Sequence, residues 1–360
     1  GGLDGAGQTV VFLEIDSFQA SDIETFSSTF GLPQPVITGP VTNTAWGSAQ
    51  PATASDEPTE ATLDLEVVHA LAPEAHLVVY ESDNSGADML AALQAAVDAY
   101  PHAVFSYSLG ITACSGSEIG EDPATAAQFD SVLEQLDRGK GSSPTIGGTA
   151  LLSTGDTGAY SCPGSKPGIQ MPADSQWATA VGGTTAFIGA GNTYGEEYAW
   201  GDPVEQSGDG GGVSTVFKRP PWQVGPGVTN QFSDAMRQIP DVSAIADLTT
   251  GWDIYSSLAN PQWQVIGGTS AAAPLWAALI ALTDQALAER GLQRVGFANP
   301  ALYDFGANPG KFPAKAYHDV TAGDNLYYPA TPGWDFATGW GTPDASAVVD
   351  DFISWEKGTR

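Results

Sequence analysis

The stretch "GGTSAAAP" at residues 267–274 opens a long apolar segment that continues to Gly291. Apolar residues occupy nearly every face of the first part of this segment, which predicts a central helix buried beneath a sheet. Ser270 would lie in the first turn of that helix, where backbone N–H groups and the helix dipole favour developing negative charge. A serine before an apolar helix is more often only an N-cap, but the whole octet is more specific than that.

Apolar runs typical of buried strands alternate with helical patterns in the first part of the chain. The predicted strands and helices follow one another at 9–15, 20–32, 58–73, 75–82, 87–100 and 102–110. This order implies an α/β fold with a mostly parallel central sheet and helices on both faces. Residues 185–265 are predicted to add loops and short strands, so we expect residues 1–360 to form a single domain.

The charge of the chain is strongly acidic. Its 360 residues include 42 Asp and Glu against 12 Lys and Arg, a net charge of −30. Such a field repels nucleic acid and anionic membranes, so neither is expected as a partner. No run reaches ~18 consecutive apolar residues, so no membrane span is predicted. Mild acid would relieve the self-repulsion, although an acidic surface for solubility or salt tolerance explains the composition equally well.

A nucleophilic serine needs a base within hydrogen-bond reach. The chain has only four histidines, His69, His76, His102 and His318. Two of them open apolar strands, where a partly buried structural histidine is the favoured interpretation. None of the four lies in a sequence context typical of such a base.

The predicted helix 58–73 offers two acids instead. Glu60 and Asp64 are four residues apart, so they project from one face of the helix, one turn apart. Two acids at this spacing repel each other unless one is protonated or they share a proton. In so acidic a chain, a solvated acidic face is the ordinary interpretation of an isolated pair of this kind.

The segment "LEVVHALAPEAHLVVY" (65–80) has the Ala-Pro turn and strand that follow the histidine helix of a subtilisin-like chain. The carboxylates thus occupy the place of the missing histidine. This combination resembles the sedolisin family, the serine-carboxyl peptidases, which have a subtilisin-like fold. Further segments similar to that family follow in its order: "SLG" (108–110), "STGDTG" (153–158), "MPADSQWATAVGGT" (171–184), "GGGVSTVFKRPPWQ" (210–223), "RQIPDVSAIAD" (237–247), "GGTSAAAP", "HDVTAGDN" (318–325) and "PGWDFATGWGTPD" (332–344).

The resemblance implies a role for each matching residue. Ser270 would be the nucleophile, Glu60 the base and Asp64 its orienting partner. A protonated Asp156 would donate to the oxyanion, although an ordinary turn aspartate is the alternative for an isolated "GDTG". The segment from Ser108 through Leu109 to Gly110 would bind substrate.

Glu14, at the end of the first strand, matches a position where some members extend the carboxylate chain towards a tryptophan. The tryptophan is replaced by Leu109 here, so we expect at most a partial extension. A surface glutamate at the strand end is an equally good interpretation.

The resemblance also implies one structural calcium ion in a C-terminal loop at about 317–344. Its ligands would be the Asp319 and Asp335 carboxylates with the carbonyls of Val320, Thr331 and Gly333. Calcium prefers six or more oxygen ligands, which such a loop can supply with water. Two aspartates that cap turns are the alternative.

Two cysteines, Cys114 and Cys162, follow predicted site strands, and we expect them to form a disulfide. Two buried thiols in a cytosolic protein are the alternative.

The whole pattern favours a secreted, monomeric acid endopeptidase that acts on peptides or unfolded proteins and is made with a pro-segment. An inactive peptide-binding member, a tripeptidyl-peptidase and a histidine-dependent subtilisin are the alternatives.

Overall fold

The protein is described by a computed structural model that covers residues 2–52, 58–111, 122–139, 146–160, 167–191 and 193–358, with the backbone of 114–115 and 118–119. Within these ranges the α-helices are α1 Ala20–Phe30, α2 Glu60–Leu71, α3 Gly86–Ala99, α4 Pro123–Arg138, α5 Thr269–Glu289, α6 Asn299–Ala307 and α7 Ala345–Gly358. The described residues also include two short 3-10 helices, Leu248–Thr250 and Pro309–Lys311.

The strands in the same ranges fall into a first and a second half. The first half comprises β1 Thr9–Glu14, β2 Val36–Val41, β3 His76–Glu81, β4 Val104–Tyr107, β5 Cys114–Ser115, β6 Glu118–Ile119, β7 Thr149–Ser153, β8 Thr179–Gly189 and β9 Thr193–Ala199. The second half comprises β10 Gly201–Asp202, β11 Ser207–Gly208, β12 Gly212–Lys218, β13 Met236–Ile239, β14 Val242–Ile245, β15 Trp252–Tyr255, β16 Trp263–Ile266, β17 Tyr317–His318 and β18 Thr342–Pro343.

One eight-stranded sheet forms the centre of the molecule. Its order is β14-β8-β7-β4-β1-β3-β2, with β9 paired to β8. Every pair along this path is parallel, and only β9 runs antiparallel to its neighbour. The predicted mostly parallel sheet is therefore confirmed. The strand order reverses between β1 and β4, and in open α/β sheets ligand sites form at the carboxyl ends of strands at such a point.

Helices cover both faces of the sheet, as the sequence predicts. Side chains alternate between the faces along a strand. Val10 and Phe12 of β1 pack into a core cluster with α2 and α5. Val11 and Leu13 of the same strand pack into a second cluster with α3 and α4.

Helix α5 is the predicted central helix. By length and composition it is apolar enough to cross a membrane, but 83% of its most apolar window is buried within the protein. Trp276 is fully buried, and its indole donates to the Ser243 carbonyl of β14 at 2.9 Å. A helix that contacts the sheet along its length has no need of a polar face, which explains the composition after Ser270.

Two differences from the sequence predictions affect the site. The predicted strand 102–110 ends at Tyr107, so Ser108 to Gly110 continue beyond the ladder. The second difference is helix α4, which the sequence analysis does not predict. Asp122 caps it by accepting from the Thr125 N–H at 3.1 Å, and its buried face carries Phe129.

The hairpin of β15 and β16 is held to α2 by a buried acid. Glu66 is fully buried, and its Oε2 accepts from the Tyr255 N–H at 2.8 Å. Its other oxygen has no hydrogen-bond partner among the described residues. Burial raises the pKa of Glu66 to about 9, with a further rise from Asp22. Glu66 is therefore neutral in acid, and it contacts the hairpin whose second strand leads to Gly267.

We predict that Glu66 makes the folded protein less stable as pH rises. Its folded-state pKa of about 9 exceeds the ordinary value of ~4.3 in the unfolded chain, so the folded state binds the extra proton between these values. The stabilising contribution is complete below pH ~4.3 and is lost as pH rises through about 9. Glutamine does not titrate, so Glu66→Gln should flatten the fall in Tm between about pH 5 and 8.

Calorimetry across that pH range measures this slope directly. Glu24→Gln, at an exposed position of α1, is the matched control and should keep the wild-type slope. An equal slope in Glu66→Gln and wild type would contradict the prediction.

Candidate active site

Ser270 lies at the start of α5, as the octet predicts. Thr269 is the first helical residue and Gly268 precedes it with a φ of 98°, a conformation that favours glycine. Ser270 is 9% exposed, and its hydroxyl lies 3.4 Å from the Ser108 carbonyl. The nucleophile candidate is thus fixed at the helix N-terminus, beside the carboxyl end of β4.

Pro274 gives the octet a specific local geometry. It lies four residues after Ser270 and has no N–H to donate to the Ser270 carbonyl. The Ser108 hydroxyl approaches that carbonyl at 3.3 Å instead. The missing intrahelical bond therefore leaves room for the end of β4 to lie against the first turn of α5.

Glu60 is the first residue of α2 and faces Ser270. The Asp16 carboxylate accepts from the Glu60 N–H at 3.0 Å and from the Ala61 N–H at 3.1 Å, which fixes the start of the helix. Burial raises the pKa of Glu60 to about 8, although a hydrogen bond with the Ser270 side chain lowers it in part. The predicted base and nucleophile are therefore in direct contact.

Asp64 lies one turn further along α2 and is fully buried. The Ser108 hydroxyl donates to its Oδ2 at 2.6 Å. Burial, followed by the charge of Glu60, raises the pKa of Asp64 well above its usual range, while hydrogen bonds with Ser108 and Glu14 lower it in part. Two buried carboxyl groups side by side repel each other when both are ionised, so a proton on Asp64 or Glu14 is favoured.

Glu14 is 1% exposed, so the surface interpretation of this residue is wrong. It ends β1 in register with Glu81, which ends β3. Burial raises the pKa of Glu14 well above its usual range, and the nearby carboxylates of Asp64, Asp16, Glu60 and Glu81 add to the rise. The carboxyl chain thus extends inward from Glu60 through Asp64 to Glu14.

Asp156 follows β7 and faces the same point from the other side. The N–H and the hydroxyl of Thr269 both donate to its Oδ1 at 2.8 Å. A Cβ on Gly268 would lie 2.6 Å from Asp156 Oδ2, so glycine at this position allows the carboxyl group to approach. Burial raises the pKa of Asp156, which favours the protonated form that an oxyanion donor requires.

A cavity of about 220 Å³ joins these groups. Glu60, Asp156 and Ser270 all line it. Asp64 does not line it, but it lies near enough to Glu60 for the charge of Glu60 to raise its pKa. The structure therefore brings together the four residues that the sequence singled out for catalysis.

All four histidines lie in the described part of the chain, and none lines this cavity. His69 is fully buried, and its Nε2 lies 3.1 Å from the Pro33 carbonyl. Burial lowers the pKa of His69, although the contact with the Pro33 carbonyl raises it in part. His76 contacts the Thr38 hydroxyl at 2.7 Å, and the His318 ring stacks on Tyr194 at 3.7 Å. Their contacts are those of structural histidines.

The three residues predicted to bind substrate extend past the end of β4. Ser108 is buried, Leu109 is half-buried and Gly110 is exposed. Beyond them, Ile111 pairs with Met171 in an antiparallel bridge. Substrate pairing along 108–110 stays a prediction.

The five residues predicted to bind calcium lie around one loop. The Asp319 carboxylate accepts from the Gly333 N–H at 3.1 Å, and Asp335 Oδ2 accepts from the Thr331 N–H at 2.7 Å. Within the described residues, no hydrogen bond ends on the carbonyl oxygens of Val320, Thr331 or Gly333. Burial raises the pKa of Asp335 to about 7, as expected of a carboxylate without a neighbouring positive charge.

The donor set of this loop is made only of carboxylate and carbonyl oxygens, which fits calcium. No group of three or more acidic, histidine or cysteine side chains is placed for a metal in the part of the chain that the structure describes. A calcium site here would therefore depend on main-chain carbonyls.

The predicted disulfide lies outside the described residues, because Cys162 and the side chain of Cys114 are not among them.

Sequence reasoning missed two side chains that position the site. Asp16 caps α2 from 44 positions earlier in the chain. Thr269 holds Asp156 from 113 positions later. Thr269 could have been found from the sequence, because it lies next to Ser270 in the segment 267–274. Asp16 could not, because it is far from Glu60 in the chain.

Comparison with known proteins agrees with this geometry. The profile of the "Subtilase family" matches residues 42–341. Kumamolisin of Bacillus sp. (strain MN-32) is 34% identical over 95% of this chain and 59% of its own length. Tripeptidyl-peptidase 1 of Mus musculus is 30% identical over 57% of this chain and 37% of its own length. The chain thus spans less than two thirds of these curated relatives.

One solved structure extends the likeness to the whole fold. It is Pseudomonas sedolisin, described as a serine-carboxyl proteinase complexed with two molecules of pseudo-iodotyrostatin. The TM-score is 0.79 at 26% identity, over 98% of this chain and 94% of that chain. The chain therefore belongs to the subtilase family and, within it, to the sedolisin family of serine-type peptidases.

Proposed function

We propose that the chain is a serine-carboxyl endopeptidase that acts in acid on peptides or unfolded proteins. The observation that carries this proposal is the contact of Ser270 with the Glu60 carboxyl group, opposite Asp156 in one cavity. A hydroxyl, a carboxyl base and a carboxylic acid around one cavity suit acyl transfer better than simple peptide binding.

In the proposed reaction the Ser270 oxygen attacks the scissile carbonyl and its proton passes to Glu60. Glu60 then gives the proton to the leaving amine, and the acyl-enzyme is hydrolysed by the reverse sequence with water. Asp64, the next carboxyl group along α2, would orient Glu60. Ser108, bonded to Asp64 at 2.6 Å, fixes that partner from the side of β4.

The oxyanion of the tetrahedral intermediate would be stabilised by Asp156. A protonated Asp156 donates its O–H to the oxygen, and the N-terminus of α5 adds a favourable dipole. Thr269 occupies Oδ1 with two donors, which leaves Oδ2 to carry the proton.

The roles of Glu60 and Asp156 require opposite protonation states. Burial raises the pKa of each, and the charge of Asp156 raises that of Glu60 further, so the two titrate together. A substrate carbonyl that accepts a hydrogen bond from Asp156 favours its protonated form. Without the charge on Asp156 the pKa of Glu60 falls in part, while burial, the larger cause, keeps it raised, so the productive state is the singly protonated form in which the proton lies on Asp156 and Glu60 is ionised. We further propose that the protein works in an acidic extracellular medium, in keeping with its net charge of −30.

We expect Ser270→Ala and Glu60→Gln each to abolish hydrolysis of a denatured protein at about pH 4 with the Tm preserved. Alanine removes the nucleophile, and glutamine keeps the size of the side chain but cannot accept the proton. Mass spectrometry of the products separates internal cleavage from tripeptide release. His69→Gln and His76→Gln are the controls, and both should remain active. Wild-type rates in Glu60→Gln would contradict the role of Glu60 and indicate a histidine as the base.

Asp156→Asn tests the oxyanion role through the pH profile. Because the folded-state pKa of Asp156 is raised, the wild-type enzyme keeps the required proton above the ordinary range of a carboxyl group and loses activity as pH rises through that pKa. An amide donates at every pH, so residual activity in Asp156→Asn should lose this alkaline fall, while Asp156→Ala should lose on the order of 10²–10³ in rate. A wild-type alkaline limb in Asp156→Asn would contradict the role.

Calcium at the C-terminal loop is a separate proposal, supported by its oxygen donor set. An ion that binds only the folded state stabilises it by mass action, so chelator at about pH 6 should lower the wild-type Tm. Asp319→Asn removes one exposed ligand charge, and its Tm should respond less to added calcium. Equal melting of wild type in calcium and in chelator would overturn the site.

A further inference from the structure

We propose that the cavity beside Ser270 selects an apolar side chain on the substrate residue directly after the scissile bond, through Leu248 and Ile266. This inference rests on the proposed peptidase function and extends it to one feature of the substrate. It concerns the leaving part of the substrate, which the predicted pairing with residues 108–110 does not address.

The position of the base decides which part of the substrate enters the cavity. The group that takes the proton from Ser270 must return it to the leaving nitrogen, so that nitrogen lies beside Glu60. The cavity wall includes Glu60 and its neighbours Pro58 and Leu63, but no residue of the segment 108–110. The side chain attached next to the leaving nitrogen is therefore the one directed into this cavity.

The far wall of the cavity is apolar. Leu63 is 2% exposed and packs in a small core cluster, against which the half-buried Ile266 also packs. Leu248 begins the short 3-10 helix and leaves 51% of its surface exposed. These side chains give the cavity an aliphatic side that extends from the protein core to its rim.

The cavity has few polar side chains besides the reacting groups. Glu60, Asp156 and Ser270 are the reacting groups, and the Thr59 hydroxyl lies 2.8 Å from that of Thr62. An acidic substrate side chain would add a carboxylate beside two carboxyl groups. A basic one would pair with Glu60 and remove the base. An aliphatic side chain avoids both costs and covers Leu248, which is otherwise open to water.

The size of the cavity sets the expected degree of selection. A volume of about 220 Å³ is below that of sites for drug-sized ligands and suits one side chain beside the reacting groups. Hydrophobic pockets of this kind discriminate by roughly tenfold or more for the loss of one or more methylenes. We therefore expect leucine to exceed alanine at this position by at least about tenfold in kcat/KM.

The test uses quenched fluorescent peptides that differ only in the residue after a cleavage site mapped by mass spectrometry, with Leu, Ala, Asp or Lys in that place. Wild type should prefer Leu. Ile266→Ala and Leu248→Ala should each reduce the Leu-to-Ala ratio of kcat/KM several-fold. Leu248 is half exposed, so its variant tests the pocket even if Ile266→Ala fails to fold.

Val265→Ala is the matched control. It neighbours Ile266 on β16, is 49% exposed and does not line the cavity, so its ratio should equal that of wild type. A wild type that cleaves all four peptides equally, or a ratio unchanged in both pocket variants, overturns this inference and leaves the peptidase activity standing. A folded wild type that cleaves none of them overturns the proposed function as well.

Discussion

Carboxyl groups that lack a cationic partner dominate this molecule. Glu14, Asp16, Glu60, Asp64 and Glu81 meet where β1 and β3 end and α2 begins. None of the described lysines, arginines or histidines contributes to the pKa of these groups, and burial is the largest cause of each rise. Charges in such a cluster repel each other and lose hydration, so the cluster forms only when it holds protons. The protein as a whole, with its net charge of −30, is subject to the same constraint.

Backbone groups and hydroxyls, rather than cations, hold the site together. The N-terminus of α2 donates to Asp16, and Thr269 at the start of α5 donates to Asp156. The Ser108 hydroxyl joins Asp64 to the end of β4. Neutral donors position a carboxyl group without lowering its pKa as strongly as a buried lysine or arginine would. The architecture is therefore compatible with acids that keep their protons.

The sequence was informative where a feature is local. The octet predicted both the buried helix and Ser270, and the four-residue spacing of Glu60 and Asp64 predicted their common face. The sequence could not predict the contact of Ser108 with Asp64, because that contact depends on how the end of β4 and helix α2 meet in the fold. Leu109, in place of a tryptophan, suggested a shortened carboxylate chain.

The structure shows why that substitution is a poor guide to Glu14. The burial of Glu14 near Asp64 follows from the position of β1 inside the sheet, between β4 and β3. Leu109, which follows the neighbouring strand β4, does not change the burial of Glu14. Burial of this kind is a property of the assembled sheet and not of the local sequence.

The hairpin of β15 and β16 links the buried acid Glu66 to the wall of the cavity beside Ser270. Glu66, on the same helix as Glu60, binds the hairpin through the Tyr255 N–H, and Asp22 of α1 accepts from the Ser257 N–H at 2.9 Å. The second strand of the hairpin carries Ile266 and leads directly to Gly268 and Ser270. A proton lost from Glu66 would place an uncompensated charge beneath the strand that forms the cavity wall. The proposed reacting groups and the strand that forms the apolar wall of the cavity thus both depend on protons held by buried acids, since one short helix bears Glu60 on one face and Glu66 on another.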